Sequence, residues 1–165
     1  MKRTAAVVVV GAVVAVVAAV IVAGSAGGQG GGQTIVLREL QRGAIFGFVD
    51  NPPKSPRRRV PRLSPGDLTG FSIRVADSSG KPVGRLDVTC MILGGRTRRT
   101  ARQVCHGGVT LSNGFIGLQA TLVGINPRTA RAAVTGGTGS FIGARGQLTS
   151  VTRNRVSVDT IELRP

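Results

Sequence analysis

The sequence predicts an all-β domain of about eight short antiparallel strands, closed into a barrel or stacked as a sandwich. Three observations carry this. Apolar and polar residues alternate in short runs along most of the chain, the period of a strand with one buried face. Clusters of Gly, Pro, Asn, Asp and Ser separate those runs. Beyond Ala23 no stretch keeps helical spacing for three turns. The composition agrees: 41% of residues are apolar but only 3% aromatic, with five Phe and no Trp or Tyr. The interior must come from Val, Ile, Leu and Ala, and β-branched side chains suit a pleated surface.

The elements follow in order. Residues 34–40 and 44–50 make the first extended region. A Pro-rich basic loop covers 51–65, because Pro cannot donate to a central ladder. In 68–77, Phe71, Ile73 and Val75 alternate with Ser72, Arg74 and Ala76. Ser78, Ser79, Gly80 and Lys81 turn the chain into 83–93, where Leu86, Val88, Cys90 and Ile92 share a face opposite Asp87, Thr89 and Met91. After a second basic loop the chain returns over 104–111. Ser112-Asn113-Gly114 is a hairpin signal, and 115–124 places Ile116, Leu118, Ala120 and Leu122 on one face. Segments 132–135, 146–152 and 156–163 complete the set. The last loses its phase between Val158 and Ile161, which predicts a bulge.

Ahead of this domain, Lys2 and Arg3 precede an uninterrupted apolar run that ends at small residues, Gly24, Ser25 and Ala26. Residues 1–26 therefore read as a cleaved signal peptide or as a retained membrane anchor, the run being just long enough to cross a bilayer. Residues 27–33 are a Gly-rich linker, and 34–165 form the domain. Both versions of the leader place the domain outside the cytosol, secreted or held on the outer face of the membrane.

The formal charge is +15. Taking Lys2 and Arg3 from it leaves +13 on the rest, a balance that favours anionic partners such as an envelope surface. Much of it is local, in Lys54, Arg57, Arg58, Arg59 and Arg62, and again in Arg96, Arg98, Arg99 and Arg102. Grooves for single-stranded nucleic acid add aromatic platforms, whereas Phe46, Phe48, Phe71, Phe115 and Phe141 are the only aromatics. The basic stretches read as solvated loops, and nucleic acid is not the expected partner.

Cys90 and Cys105 are the only cysteines. Each lies on the apolar face of its strand, and the two strands form a hairpin about the Arg-rich loop. A register pairing Cys90 with Cys105, and Leu93 with Arg102, brings the Cβ atoms within reach of a disulfide. In the oxidising compartment implied by the leader that bond forms, and it contributes roughly 3 kcal/mol by the loop-entropy model. A reactive thiol is the weaker reading, since His106 points to the opposite face from Cys105.

Several chemistries are excluded. The stretch from Val134 to Gly143 superficially resembles a dinucleotide-binding glycine loop, but Gly139 and Gly143 are too far apart and strands, not a helix, follow. One His, one Cys pair and scattered acids do not make a metal cluster. No nucleophile elbow accompanies His106. No cofactor is expected.

The same glycines carry a family resemblance. Gly136-Gly137-Thr138-Gly139, with Phe141, Gly143, Ala144 and Gly146, resembles the GGTG-x-F-x-x-A-x-G signature of the allene oxide cyclase and dirigent superfamily. Gly66-Asp67-Leu68 with Phe71 and Asp77, followed by Gly80-Lys81 and Val83-Gly84, resembles the family's GD-x-x-x-F strand and its glycine-lysine turn, and Phe48 to Pro53 with Leu111 to Gly114 fit a bacterial branch of it. The resemblance spans 34–163. It implies an eight-stranded antiparallel barrel with an apolar lumen, often a homo-oligomer, that binds a small hydrophobic intermediate and steers its cyclisation or coupling, as an isomerase-type cyclase or a dirigent. The alternative is a non-catalytic exported protein that carries a lipid-like ligand or rests on an anionic envelope. If the barrel is catalytic, its acid faces the lumen. Asp50 is the expected residue, continuing the Phe46 and Phe48 face at the cavity mouth, with Asn51, Arg74 and Asp87 as further ligand contacts.

Overall fold

The computed structural model describes residues 32–51, 63–95 and 97–165. The leader 1–26, expected from its unbroken apolar run to be helical, lies outside them, as do most of the linker and most of the Pro-rich loop. The described chain is a closed barrel of eight antiparallel strands, each bonded to its sequence neighbours. These are β1 (Gln33–Val49), β2 (Leu68–Ala76), β3 (Pro82–Gly94), β4 (Arg102–Leu111), β5 (Gly114–Val123), β6 (Thr129–Gly137), β7 (Arg145–Arg153) and β8 (Val156–Arg164). Between barrel and sandwich, the pairing of β1 with β8 decides for the barrel.

Most of the sequence pattern maps directly onto this meander. The two expected segments at 34–40 and 44–50 are one strand, β1, with a bulge between Leu40 and Ile45. The predicted hairpin joins β4 to β5, Leu111 facing Gly114. Cys90 pairs with Cys105 and the two form a disulfide, their Cα atoms 4.0 Å apart. Arg102 faces Gly94 rather than Leu93, because a register shift falls between Ile92 and Gly94. The bulge expected in the last strand is absent. β8 keeps strict pairing with β7 throughout. Val158 faces outward and Asp159 inward, so a polar residue on the buried face, not an extra residue, broke the apolar phase.

The barrel has a filled end and an open end. At the filled end, Ile73, Val109, Ile116, Leu148, Ile161 and Phe141 pack into one buried cluster. Phe141 comes from a 3₁₀ turn, Gly139–Phe141, that folds under the barrel between β6 and β7. The glycine signature builds this plug. Gly136 and Gly137 end β6, Thr138 donates its N–H to the Phe115 carbonyl at 2.9 Å, and Gly143 starts the return to β7. Gly139 sits at φ 61, where a Cβ would collide with the Asn113 carbonyl. Gly146, at φ 148, lies against the Glu162 carbonyl of β8. Only glycine permits both the dihedrals and the approach.

Candidate functional site: a lumen with two carboxylates

Eight-stranded barrels are just wide enough to be filled by side chains or to hold one small ligand. Here the filled end does the first and the open end the second. Above the packed floor lies a cavity of about 860 Å³, within the range of small-molecule sites. Its wall is mainly apolar, with Leu86, Val88, Leu118, Ala132 and the Cys90–Cys105 pair facing in. Towards the mouth Phe46, Phe48 and Phe71 line it, and the Phe46 and Phe71 rings stand 6.3 Å apart.

Strand alternation decides which polar groups join this wall. Along β1, Leu37 points in and is buried, so Glu39 two residues on points in as well. Along β8 the inward set is Ser157, Asp159, Ile161 and Leu163. Asp159 pairs with Leu37 across the β1–β8 seam and with Ser150 across β7. Glu39 and Asp159 therefore meet on one side of the lumen, and both line the cavity.

Their environment holds protons. Burial pushes Glu39 up from 4.5 to about 7, and the nearby Asp159 charge adds to this, while bonds from Ser157 and Gln41 oppose it. Burial likewise raises Asp159, with Ser150 drawing the other way. Asp159 is 0% exposed, and apart from the pull of Ser150 across β7 neither of its oxygens meets a donor in hydrogen-bond geometry. On β4, Gln103 donates from Nε2 to the Gly124 carbonyl at 2.7 Å and leaves its buried Oε1 unpartnered. Native proteins pair nearly all such groups. Among the described residues, every buried side-chain polar atom left without a partner belongs to Asp159 or Gln103, and both residues line this one cavity.

The residues expected from sequence divide. Phe46 and Phe48 line the cavity. Asp50 lies half-buried one residue past β1 and is not part of the lining. Period-2 alternation stops being a guide there, because the strand ends at Val49. Asn51 turns to the loop instead, its N–H on Asp67 Oδ1 at 3.0 Å and its side-chain amide on the Gly66 carbonyl at 2.5 Å. Arg74 and Asp87 are corrected to the outer wall: Arg74 reaches the Arg42 carbonyl at 3.3 Å, and Asp87 accepts from Ser72 Oγ at 2.5 Å. Both fall between inward-facing apolar neighbours, Ile73 and Val75 for one, Leu86 and Val88 for the other. Among the described residues no group of three or more His, Cys, Asp and Glu could hold a metal ion.

No known family's sequence profile matches the chain, and no curated protein sequence does. Solved structures match well. A pyocyanin demethylase superposes with a TM-score of 0.61 at 22% identity, covering 80% of this chain and 98% of its own. The Diels–Alderase AbmU from Streptomyces koyangensis superposes at 0.58 with 17% identity, over 83% of this chain and 69% of its own. The pterocarpan synthase dirigent protein GePTS1 gives 0.56 at 14% identity, over 82% and 88%. The fold is that of the dirigent and Diels–Alderase barrels. At these identities it is the fold that is shared, and the Glu39, Asp159 and Gln103 arrangement is read from this chain alone.

Proposed function

We propose that this barrel takes a small hydrophobic intermediate into its lumen and steers its cyclisation or coupling, with Glu39 as the proton-donating group. The supporting observation is the pair of proton-holding carboxylates in the wall of an otherwise apolar cavity. A carboxyl raised to about 7 is well matched to donate and recover a proton near neutral pH. Asp159, deeper and without a donor in hydrogen-bond geometry, keeps that proton in place, since two adjacent carboxylates resist ionising together. Gln103 Oε1 offers a fixed acceptor to orient a ligand hydroxyl or amide. The apolar wall folds the remainder of the molecule, which supplies proximity rather than chemistry. Allene oxide cyclase-type isomerisation and dirigent-type coupling both fit such a chamber, and the neighbouring folds include a named cyclase and a named dirigent protein.

The same reading holds the chain to be exported, supported by its apolar leader and by the disulfide, a bond that persists in oxidising compartments. Oligomer formation belongs with the family resemblance. The second reading is a non-catalytic carrier of a lipid-like ligand or an envelope-bound protein, supported by the basic loops. One experiment separates them. The molecule that co-purifies in the lumen is identified by mass spectrometry and offered to wild type and to Glu39→Gln. Turnover should fall by about 100-fold or more with little change in binding. Unchanged conversion removes Glu39 from the mechanism, and absence of any conversion by wild type favours the carrier.

A further inference from the structure

The mouth of the cavity carries a different chemistry from its wall. Besides the β1–β2 connection, whose Leu63 also lines the cavity, three connections meet there: residues 97–101 before β4, 124–128 between β5 and β6, and the Asn154-Arg155 turn between β7 and β8. They are stitched together. Ile125 donates its N–H to the Arg98 carbonyl at 2.7 Å, Gly124 to Ala101 at 2.8 Å, and Thr152 to Arg128 at 2.8 Å. Arg98, Asn126 and Arg155 consequently stand on one continuous arc, and all three line the cavity.

One of the three holds costly backbone. Arg155 has φ 65, a left-handed region that glycine enters freely and a long side chain does not, whereas Asn126, at φ 58, is of a residue type that adopts it readily. In a two-residue hairpin turn with both φ values positive, Asn followed by Gly is the unstrained choice. This chain places Arg155 where that glycine would sit. Strain of this kind persists where the side chain has work to do. Among the described residues, the acids that line the cavity are Glu39 and Asp159, on its wall rather than at the rim.

We propose that this arc is an anion-binding rim, so that the lumen's ligand is an amphiphile: an apolar body inside, and a carboxylate, sulfate or phosphate at the mouth held by Arg98 and Arg155. This rests on the lumen being the ligand site. Guanidinium groups bind such oxyanions through two parallel N–H bonds. The two lumen carboxylates disfavour a second anion beside them, so the molecule enters apolar end first. Asn126 adds a neutral donor between the two arginines.

The test titrates the full chain with dodecanoate and with dodecan-1-ol, in wild type, Arg98→Gln, Arg155→Gly and, as a charge control, Arg145→Gln. Arg145 faces Arg164 at the filled end of the barrel. Wild type should prefer dodecanoate, and added salt should erase the preference. Arg98→Gln and Arg155→Gly should each weaken dodecanoate by about tenfold, as for loss of a charged hydrogen bond, and leave dodecan-1-ol unchanged. Arg145→Gln should change neither. Arg155→Gly should at the same time raise the melting temperature, because glycine relieves the strained turn. A structural residue would not show higher stability together with weaker binding. If dodecan-1-ol binds as tightly as dodecanoate, or both rim variants bind dodecanoate as wild type does, the rim inference fails while the lumen reading stands. If neither compound binds, the lumen reading falls and takes the rim with it.

Discussion

Asp67 and Asp159 are both 0% exposed, yet they sit in regions built on opposite principles. Asp67 ends the loop that leads into β2, and its carboxylate is saturated: it accepts from the Ser64 N–H at 2.7 Å, the Ser64 hydroxyl at 3.0 Å and the Asn51 N–H at 3.0 Å. It serves as a clasp between the end of β1 and the start of β2. Asp159 lies in the lumen with no donor in hydrogen-bond geometry at either oxygen. Burial alone therefore says little about what a carboxylate does. A buried acid whose lone pairs are used up holds the chain together, whereas one left bare beside a cavity is a cost that stability alone does not explain.

Breaking the clasp should have the largest effect. Asp67→Ala leaves two backbone N–H groups without their acceptor and should destabilise the domain by about 3 kcal/mol, read as a lower denaturant midpoint. The bare acid should respond in the other direction. Asp159→Asn removes an uncompensated charge and should gain about 1–2 kcal/mol at pH 8. A loss of stability at that pH would mean that Asp159 has a partner after all. Glu39→Gln should give a smaller effect of the same sign, and it sharpens the pH dependence. The folded protein binds the Glu39 proton more tightly than the unfolded chain does. Its contribution to stability is thus complete below about pH 4.5 and is lost as pH rises towards 7. Wild type should lose stability across that window and Glu39→Gln should lose less, in urea titrations at several pH values. Phe46 lies at the mouth and is 64% exposed, so Phe46→Ala should move stability by no more than about 0.5 kcal/mol while weakening an apolar probe such as dodecan-1-ol.

Sequence alternation went far with the frame and less far with the site, for one physical reason. Strand patterns are read by assuming that inward means apolar. That held for Leu86 to Ile92 and for Ile116 to Leu122, and it located the disulfide. It misled wherever the lumen is polar. Asp159 looked like a phase error, and the error was the signal. Glu39 follows Ile35 and Leu37 in strict alternation, but apolar Leu40 beside it blurred the face. Gln103 escapes a strand that begins at Val104, because β4 starts two residues earlier, at Arg102. Asp50 continues the Phe46 and Phe48 face only on paper, because β1 and its alternation end at Val49. The Phe46 and Phe48 face, by contrast, was readable because those inward residues are apolar.

The seam between β1 and β8 also bears on how the barrel assembles. Every other pairing joins strands adjacent in sequence and can form as a local hairpin. The seam alone joins residues 33–38 to 158–163, at opposite ends of the chain, so it carries the largest loop-closure entropy and is the contact that topology makes slowest. Asp159 lies within that seam and Glu39 is the first residue beyond it. Zipping it shut desolvates two acids at the same moment as it completes the sheet. Closing the seam is thereby coupled to proton uptake. Refolding should be faster in mildly acidic buffer than in alkaline buffer, and the open form that precedes closure is a seven-pairing sheet with two unpaired edges.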